Sequence, residues 1–197
     1  IKTVKTSVMG AINSLGLAKR VGARILQAST SEVYGDPEVH PQVEDYRGNV
    51  SMVGPRACYD ESKRFGETLC YVYNLQFNMP ITMVRPFNNY GPGMSLKDKR
   101  VPADFALAVV EDMQINIFSD GTPTRTFCYI SDAIIGYLKA LTYGKFKIFN
   151  IGIDEPEISI RDLAEIYTRK GREIYSYSKK FKLSKPPEAN YMTNNPN

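Results

Sequence analysis

The first 85 residues alternate between helix-like and strand-like patterns of hydrophobic positions. Apolar residues recur every three or four positions over residues 3–20, which predicts a helix that ends at Gly22. Residues 24–29 and 81–85 are short apolar runs and predict buried strands, with a second helix between them that Pro80 ends. Alternating strands and helices with apolar strands indicate a parallel sheet covered on both faces.

The pattern becomes less regular after Pro86. A charged loop at 97–100 leads into a predicted helix at 103–112, and short strands follow at 115–118, 127–130 and 146–151. Ser131 is predicted to cap the helix between the last two strands, and Ser159 to cap another helix over 160–169. Beyond Gly171 the chain is polar and broken by prolines, so we expect it to add little to a core.

The composition indicates a globular protein that binds a small anionic molecule. The chain has 197 residues, 43% of them hydrophobic, which is enough for a substantial core. The net charge of +4 comes from 25 basic and 21 acidic residues spread along the chain, without the basic block that nucleic acid would require. No apolar run reaches the roughly 20 residues of a membrane span, and no signal peptide opens the chain.

Cysteine and histidine usage argues against metal and disulfide chemistry. The three cysteines, Cys58, Cys70 and Cys128, show no Cys-x-x-Cys spacing, so neither a zinc site nor a disulfide framework is predicted. A reducing cytoplasm is therefore the expected location. His40 is the one histidine and sits in a proline-rich loop, which indicates a solvated side chain and not a catalytic base.

Tyr59 and Lys63 are the first candidates for proton transfer. A tyrosine hydroxyl, with an ordinary pKa of about 10, is a poor base, but a lysine ammonium one helical turn later favours its phenolate form. The spacing alone is weak evidence, because 13 tyrosines and 14 lysines give about one such pair by chance. Three pairs occur, so the motif depends on its context.

Two polar segments follow the predicted strands. Residues 29–35 read STSEVYG and place hydroxyl and carboxylate groups at the carboxyl end of the first strand. Residues 85–92 read RPFNNYGP and follow the second strand in the same way. Ligands of open α/β sheets bind at this edge. Alone, the first segment is equally compatible with a serine-rich turn, and the second with a tight loop.

These segments, in this order, resemble the extended short-chain dehydrogenase/reductase superfamily of nucleotide-sugar epimerases, dehydratases and decarboxylases. ASTSEVYGDPEVHPQ (28–42) and GPRACYDE (54–61) are similar to the UDP-glucuronic acid decarboxylase family, the UDP-xylose synthases. The likeness runs from Ile1 to about Glu165. It implies an α/β fold: a Rossmann-like doubly wound parallel sheet, truncated at its N-terminal part, with a smaller α/β substrate-binding region. We expect 1–85 to belong to the NAD domain, and 86–197 to form mainly the substrate region, with returning elements and a polar tail.

The resemblance also implies roles for individual residues. Tyr59 would take the proton of the sugar 4-hydroxyl while NAD takes the hydride, and Lys63 would bind the cofactor ribose. Thr30 would hydrogen-bond the same hydroxyl, and Glu32 would act beside the carboxylated carbon of a UDP-sugar. Decarboxylation of the resulting β-keto acid and return of the hydride would give UDP-xylose. A homodimer formed through a helix pair is expected, and no metal.

Further positions match family sites for the two ligands. The implied cofactor-binding residues are Thr6, Ala28, Tyr59, Lys63 and Arg100. The implied substrate-binding residues are Lys5, Asn13, Lys19, Arg20, Ser31, Asn88 and Arg125. The residues of the first helix could equally form a solvated helix face, and Arg125 could be an ordinary surface arginine. Sugar 4,6-dehydratases usually carry aspartic acid where this chain has Ser31, so the serine favours a decarboxylase.

The chain departs from the family pattern in one large respect and two small ones. No three of its 14 glycines have the G-x-G-x-x-G spacing that brings a helix N-terminus to the cofactor pyrophosphate. We therefore expect a fragment that binds NAD poorly, is inactive alone, and aggregates or pairs through an exposed sheet edge. Ser7 replaces a common asparagine and Ser62 a common glycine. The alternatives are a 4-epimerase, a 4,6-dehydratase, or a non-catalytic assembly module.

Overall fold

The structure is a computed structural model that describes residues 1–184. Its helices are α1 (Lys2–Val21), α2 (Ala57–Phe77), α3 (Val101–Val110), α4 (Ile130–Thr142) and α5 (Ile160–Tyr175), with one 3₁₀ helix at Ser31–Tyr34. Its strands are β1 (Ile25–Ala28), β2 (Ile81–Pro86), β3 (Asn89–Tyr90), β4 (Asn116–Ile117), β5 (Thr124–Arg125), β6 (Cys128–Tyr129), β7 (Lys147–Ile151), β8 (Ile158–Ser159) and β9 (Lys182–Leu183).

The chain forms two compact units. Of the described residues, the first unit comprises Ile1–Asn89 and Cys128–Ile153, and the second comprises Tyr90–Phe127 and residues 154–184. The chain therefore leaves the first unit after β2 and returns to it with α4 and β7. The assignment of these units to cofactor and substrate stays a prediction.

The first unit is built on a parallel sheet in the order β1-β2-β7. Helices α1 and α2 pack against each other, and their core with the sheet includes Leu15, Cys70, Ile81 and Met83. This arrangement confirms the predicted α/β fold with a parallel sheet. The left-handed Gly22 ends α1, as predicted, and its amide bonds the carbonyl groups of the last turn.

The prediction that both early strands are buried is right for β2 and wrong for β1. All of Ile81–Arg85 is buried, whereas the residues of β1 are half-buried or exposed. The physical reason is pairing: among the described residues, β1 has a neighbouring strand only on its β2 side. An apolar run in the sequence indicates that a strand can be buried, but it does not show how many other strands will pair with it.

The core of the second unit lies between α3 and α5. Phe105, Val109, Ile115 and Ala164 are buried there, and Tyr177 joins them at 2% exposure. The expectation that the chain beyond Gly171 adds little to a core is therefore wrong. The ring of Tyr177 can be buried because its hydroxyl donates to the Met113 carbonyl at 2.8 Å.

Of the two predicted helix caps, one is confirmed and one is wrong. The Ser159 side chain accepts a hydrogen bond from the Asp162 amide at 3.0 Å and caps α5. Ser131 does not cap α4, because that helix already begins at Ile130. Tyr129 occupies the cap position and makes no side-chain capping bond. Helix α5 continues to Tyr175, beyond the predicted end at 169.

Among residues 1–184, no helix combines the length and apolar character needed to cross a bilayer. Cys58, Cys70 and Cys128 are free thiols, the first exposed and the other two buried. Residues 185–197 of the predicted polar tail lie outside the described residues.

Candidate active site

Lys63 joins the first turns of α2 to the carboxyl end of β1. Its Nζ donates a 3.0 Å hydrogen bond to the Ala28 carbonyl oxygen and lies 5.9 Å from the centroid of the Tyr59 ring. Partial burial disfavours the ammonium form and lowers the Lys63 pKa. An ammonium has three donors, so this bond leaves two for another partner. The predicted pair thus lies at the ligand-binding edge of the sheet.

The segment after β1 turns at once into the 3₁₀ helix. Thr30 is extended and caps this helix, and its Oγ1 accepts from the Glu32 amide at 3.3 Å. The residue is 93% buried, with 7% exposure. Because a hydroxyl has one donor and two lone pairs, this bond leaves Thr30 the capacity to bind a ligand oxygen. Ser31 follows, half-buried, at the start of the helix.

The Glu32 carboxylate forms an ion pair with Arg56, the residue that precedes α2. The two side chains are 40% and 66% exposed, so solvent screens the pair. Arg56 is a site residue that was not predicted from the sequence, although it lies in GPRACYDE, three residues before Tyr59. Glu32 and Tyr59 are therefore connected through the same N-terminal end of α2.

Asp60, next to Tyr59, is a second residue that sequence reasoning missed. It is 8% exposed, and its Oδ1 has no hydrogen-bond partner among the described residues. Burial raises the Asp60 pKa, the nearby Arg56 opposes that shift, and Glu32 reinforces it. The start of α2 therefore carries a carboxyl group that favours its protonated form more than an ordinary aspartate does.

Three more predicted residues lie at or near this edge of the sheet. Asn88 follows β2, with a φ of 41° and an exposed side chain. Lys5 and Thr6 are exposed in the second turn of α1. Because α1 is about 30 Å long and ends just before β1 begins, its first turns lie on the side of the sheet on which the strands end.

The structure does not bring Lys19 and Arg20 to the same place. The Lys19 Nζ lies 3.5 Å from the centroid of the Phe77 ring, at the last residue of α2. Lys63 and Phe77 are 14 residues apart, about 21 Å along a helix. Lys19 and Arg20 therefore lie at the opposite edge of the sheet, and the exposed Asn13 lies between the two edges.

The two predicted arginines of the second half belong to the second unit. Arg100 directly precedes α3, and two of its guanidinium nitrogens donate to Asp98 Oδ2 at 2.9 and 2.6 Å. This pairing lowers the Asp98 pKa. Arg125 lies exposed in β5, where Nη1 donates to the Thr124 carbonyl at 2.7 Å. The roles predicted for both stay predictions.

A family model described as the NAD dependent epimerase/dehydratase family matches residues 1–152. The chain belongs to this family. The match includes every residue of the first unit that the resemblance implies for catalysis. The predicted superfamily is thereby confirmed, together with the Rossmann-like fold.

Curated relatives within this epimerase/dehydratase family carry a more specific name. UDP-glucuronic acid decarboxylase 1 of Xenopus tropicalis is 49% identical over 152 residues, which are 77% of this chain and 36% of the relative. UDP-glucuronic acid decarboxylase 6 of Arabidopsis thaliana is 48% identical over 165 residues, 84% of this chain and 48% of the relative. The chain thus spans less than half the length of these relatives.

Solved structures of the superfamily share the fold. UDP-glucuronic acid 4-epimerase from Bacillus cereus, in complex with UDP-glucuronic acid and NAD, has a TM-score of 0.77 at 30% identity. The similarity covers 92% of this chain and 55% of that one. UDP-glucose 4-epimerase from Thermotoga maritima has a TM-score of 0.81 at 23% identity, over 94% and 58% of the two chains, and shows the fold alone.

The residues present fit one part of an NAD molecule. The Lys63 ammonium has donors left for ribose hydroxyls, and the exposed Thr6 belongs to a helix that begins near the same edge. No glycine triplet in this sequence has the spacing of a pyrophosphate-binding loop. The fit is therefore limited to a ribose of the cofactor.

Proposed function

We propose that the full-length protein is an NAD-dependent decarboxylase that converts UDP-glucuronate to UDP-xylose. The observation that carries the proposal is the hydrogen bond from Lys63 to the Ala28 carbonyl, which holds the Tyr59 helix beside the segment of Thr30, Ser31 and Glu32. The names of relatives at 48–49% identity support the choice of reaction.

Proton transfer is assigned to the first turn of α2. Tyr59 accepts the proton of the sugar 4-hydroxyl, and Lys63, one turn later on the same face of the helix, holds its Nζ 5.9 Å from the centroid of the Tyr59 ring. Thr30 binds the same hydroxyl, because its own hydroxyl can still donate one hydrogen bond. NAD, which Lys63 is proposed to hold through its remaining donors, would supply the acceptor for the C4 hydride and the donor for its return.

Loss of carbon dioxide follows from the ketone at C4. The C5–carboxylate bond breaks, its electron pair passes into the ketone as an enolate, and a proton then adds to C5. Glu32 lies two residues after Thr30 and is assigned to the region of this carbon, with Ser31 between them as a hydroxyl that binds substrate. Reduction of the C4 ketone, with Tyr59 returning its proton, completes UDP-xylose without net oxidation.

The residues proposed to hold the two ligands are those implied by the resemblance. NAD would contact Thr6, Ala28, Tyr59, Lys63 and Arg100. The UDP-sugar would contact Lys5, Asn13, Ser31, Asn88 and Arg125. The resemblance also implies Lys19 and Arg20 for the UDP-sugar, but they are not assigned to the site of Tyr59, because Lys19 lies against Phe77 at the opposite edge of the sheet.

A 4-epimerase acting on the same substrate is the second candidate. A solved UDP-glucuronic acid 4-epimerase is 30% identical over 92% of this chain. An epimerase keeps the carboxylate and returns the hydride to the other face of C4. The two enzymes therefore differ in whether carbon dioxide leaves before the ketone is reduced. A 4,6-dehydratase is disfavoured by Ser31, at a position where those enzymes usually carry an acid.

Incubation of the full-length natural protein with UDP-glucuronate labelled at the carboxylate separates these candidates. Release of labelled carbon dioxide with UDP-xylose is the expected result. A product that keeps the label and differs only at C4 would identify an epimerase. Absence of any turnover, together with no binding of NAD in an equilibrium titration, would favour a non-catalytic assembly module.

A homodimer formed through α1 and α2 is proposed for the full-length protein. These neighbouring helices expose large apolar side chains, among them Leu17 at 51%, Val21 at 63% and Leu75 at 70%. Sedimentation of the protein with Leu75→Glu should give a monomer, and a wild-type monomer would reject the proposal. A cytoplasmic location is proposed on the odd cysteine count.

A further inference from the structure

A buried ion pair lies beneath the segment that carries Thr30, Ser31 and Glu32. Arg85 Nε and Nη2 donate to the two carboxylate oxygens of Glu67 at 2.9 and 2.6 Å. The side chains are 9% and 12% exposed, so this pair is shielded from solvent, unlike the pair of Glu32 and Arg56. Burial opposes the charge of Arg85, but the bond to Glu67 outweighs it, and the Arg85 pKa is raised.

The two partners come from elements that carry candidate active-site residues. Glu67 is on α2, one turn after Lys63 and two turns after Tyr59, on the same side of the helix. Arg85 is near the end of β2, three residues before Asn88. The ion pair therefore ties the helix of the proton-transfer residues to the carboxyl end of the central strand.

The same pair also binds both ends of the segment 30–33. On one side, the Ser29 Oγ donates to Glu67 Oε1 at 2.5 Å. On the other side, Arg85 Nη1 donates to the Tyr34 hydroxyl at 2.7 Å, and that hydroxyl donates to Asn150 Oδ1 at 2.8 Å. Ser29 and Tyr34 are 4% and 1% exposed. Burial is the largest cause of the raised Tyr34 pKa, so Tyr34 remains a neutral donor.

We propose that Glu67 and Arg85 are a positioning pair that sets the segment of Thr30, Ser31 and Glu32 against the helix of Tyr59 and Lys63. The proposal rests on the proposed function for the identity of the reacting groups. Its geometry is independent of that function. The Glu67 carboxylate on α2 and the Arg85 guanidinium on β2 bond to each other, and they also bond to the residues on either side of the segment. Neither residue touches the reacting atoms in this assignment. Their effect is to fix the distance between Tyr59 and the side chains of 30–32.

This positioning pair suits a reaction in which side chains from two separate segments must act on one sugar. Tyr59 and Thr30 must meet the same hydroxyl, while Glu32 reaches a neighbouring carbon. Misplacement of a catalytic group by about 1 Å can cost on the order of 100-fold in rate. A bidentate arginine–carboxylate pair in a buried site has the fixed geometry that this task requires.

The decisive variants each remove one hydrogen bond between the segment's flanking residues and the ion pair, and they keep the ion pair itself. Tyr34→Phe deletes the hydroxyl that joins Arg85 to the 3₁₀ helix, and Ser29→Ala deletes the bond to Glu67. Tyr177→Phe is the matched control, since Tyr177 is 2% exposed and its hydroxyl makes one 2.8 Å bond in the second unit. Glu67→Gln is less informative, because an unpaired buried Arg85 destabilises the fold by itself.

Each variant is made in the full-length natural protein and examined in two ways. With UDP-glucuronate, Tyr34→Phe and Ser29→Ala should lower kcat by about 10- to 100-fold with KM changed less than about twofold. Hydrogen exchange at the Glu32, Val33 and Gly35 amides, which are bonded within the segment, should become about tenfold faster. Tyr177→Phe should change neither kcat nor the exchange rates of these amides, although it should lose a similar amount of unfolding free energy.

Two results would contradict the proposed role of Glu67 and Arg85 as a positioning pair. One is a fall in kcat for Tyr34→Phe that is no larger than that for Tyr177→Phe at equal stability. The other is unchanged exchange at the three amides in both flank variants. If the wild-type protein turns over no nucleotide sugar, the proposed function fails, and hydrogen exchange still decides whether the pair holds the segment.

Discussion

The Lys63 Nζ donates a 3.0 Å hydrogen bond to the carbonyl oxygen of Ala28, at the end of β1. This contact makes the pair of Tyr59 and Lys63 more than a spacing in the sequence, because it attaches the pair to the strand that leads into Thr30. The other two tyrosine–lysine pairs of the chain lie across helix ends: Tyr143 is the C-cap of α4 and Lys147 begins β7, whereas Tyr175 is the last residue of α5 and Lys179 lies beyond it. Tertiary contact thus distinguishes one pair from two chance matches.

Replacement of Lys63 by methionine should separate catalysis from stability. Turnover of UDP-glucuronate should fall on the order of 100-fold, because the phenolate of Tyr59 loses its neighbouring cation. Stability should fall little, because burial already disfavours the charged form and lowers the Lys63 pKa. Initial rates and urea unfolding measure the two effects. Lys139→Met, at an exposed position of α4, is the control and should leave both unchanged.

The lowered Lys63 pKa also predicts the sign of a pH effect. Between the lowered pKa and the ordinary lysine value of about 10.4, the unfolded chain holds more protons at this site than the folded chain. The wild-type protein should therefore gain stability relative to Lys63→Met as pH rises through that window. A difference in unfolding free energy that stays constant or moves the other way would contradict the assigned cause.

Glu32→Gln should cost much activity and little stability. Its ion pair with Arg56 is largely exposed, and such pairs contribute about 0.2–1 kcal/mol. Loss of a catalytic carboxylate typically lowers rates by about 10²- to 10⁴-fold. Glu173→Gln is a matched control, since Glu173 pairs with Lys170 at 2.6 Å and both are about half exposed, at 50% and 56%. Equal rates for the two variants would remove Glu32 from the mechanism.

The elements that the sequence predicts well are those with local causes. Helix α1 has its hydrophobic period and its terminal Gly22 within one stretch of chain, and β2 is a short, mostly apolar run. The two-residue strands β5 and β9 were missed, because each exists only through pairing with a distant segment. Tyr177 was missed for a similar reason, since Met113, which accepts its hydroxyl, is 64 residues away.

The candidate site follows the same rule. Tyr59, Lys63 and the segment after β1 were found from spacing and from their position after a strand. Arg56 was not, because its partner Glu32 is 24 residues away in the sequence. Glu67 and Arg85 look like ordinary helix and strand residues until the fold pairs them across 18 residues. Hydrophobic periodicity carries no information about which buried charges will meet.

Gly35→Ala should be strongly destabilising. Gly35 ends the 3₁₀ helix with a φ of 63°, and an added Cβ would lie 2.0 Å from the Asn49 carbonyl oxygen. Backbone strain and the clash together should cost about 2–4 kcal/mol. Gly16→Ala is the control: it is inside α1 with nothing within 4 Å, so it should stabilise by about 0.5–1 kcal/mol. Chemical denaturation that gives both variants the same sign would contradict this account.

The two serines that the sequence analysis assigned as helix caps give a final test, because only Ser159 occupies a cap position. Ser159→Ala removes the acceptor of the Asp162 amide, 3.0 Å away, and should cost about 1 kcal/mol. Ser131 lies inside the first turn of α4, where its hydroxyl donates to Asp132 Oδ1 at 3.3 Å. Ser131→Ala should therefore change stability by less than about 0.5 kcal/mol. Urea unfolding of both variants measures the difference. An equal loss of stability would contradict Tyr129 as the cap residue of α4 and favour Ser131.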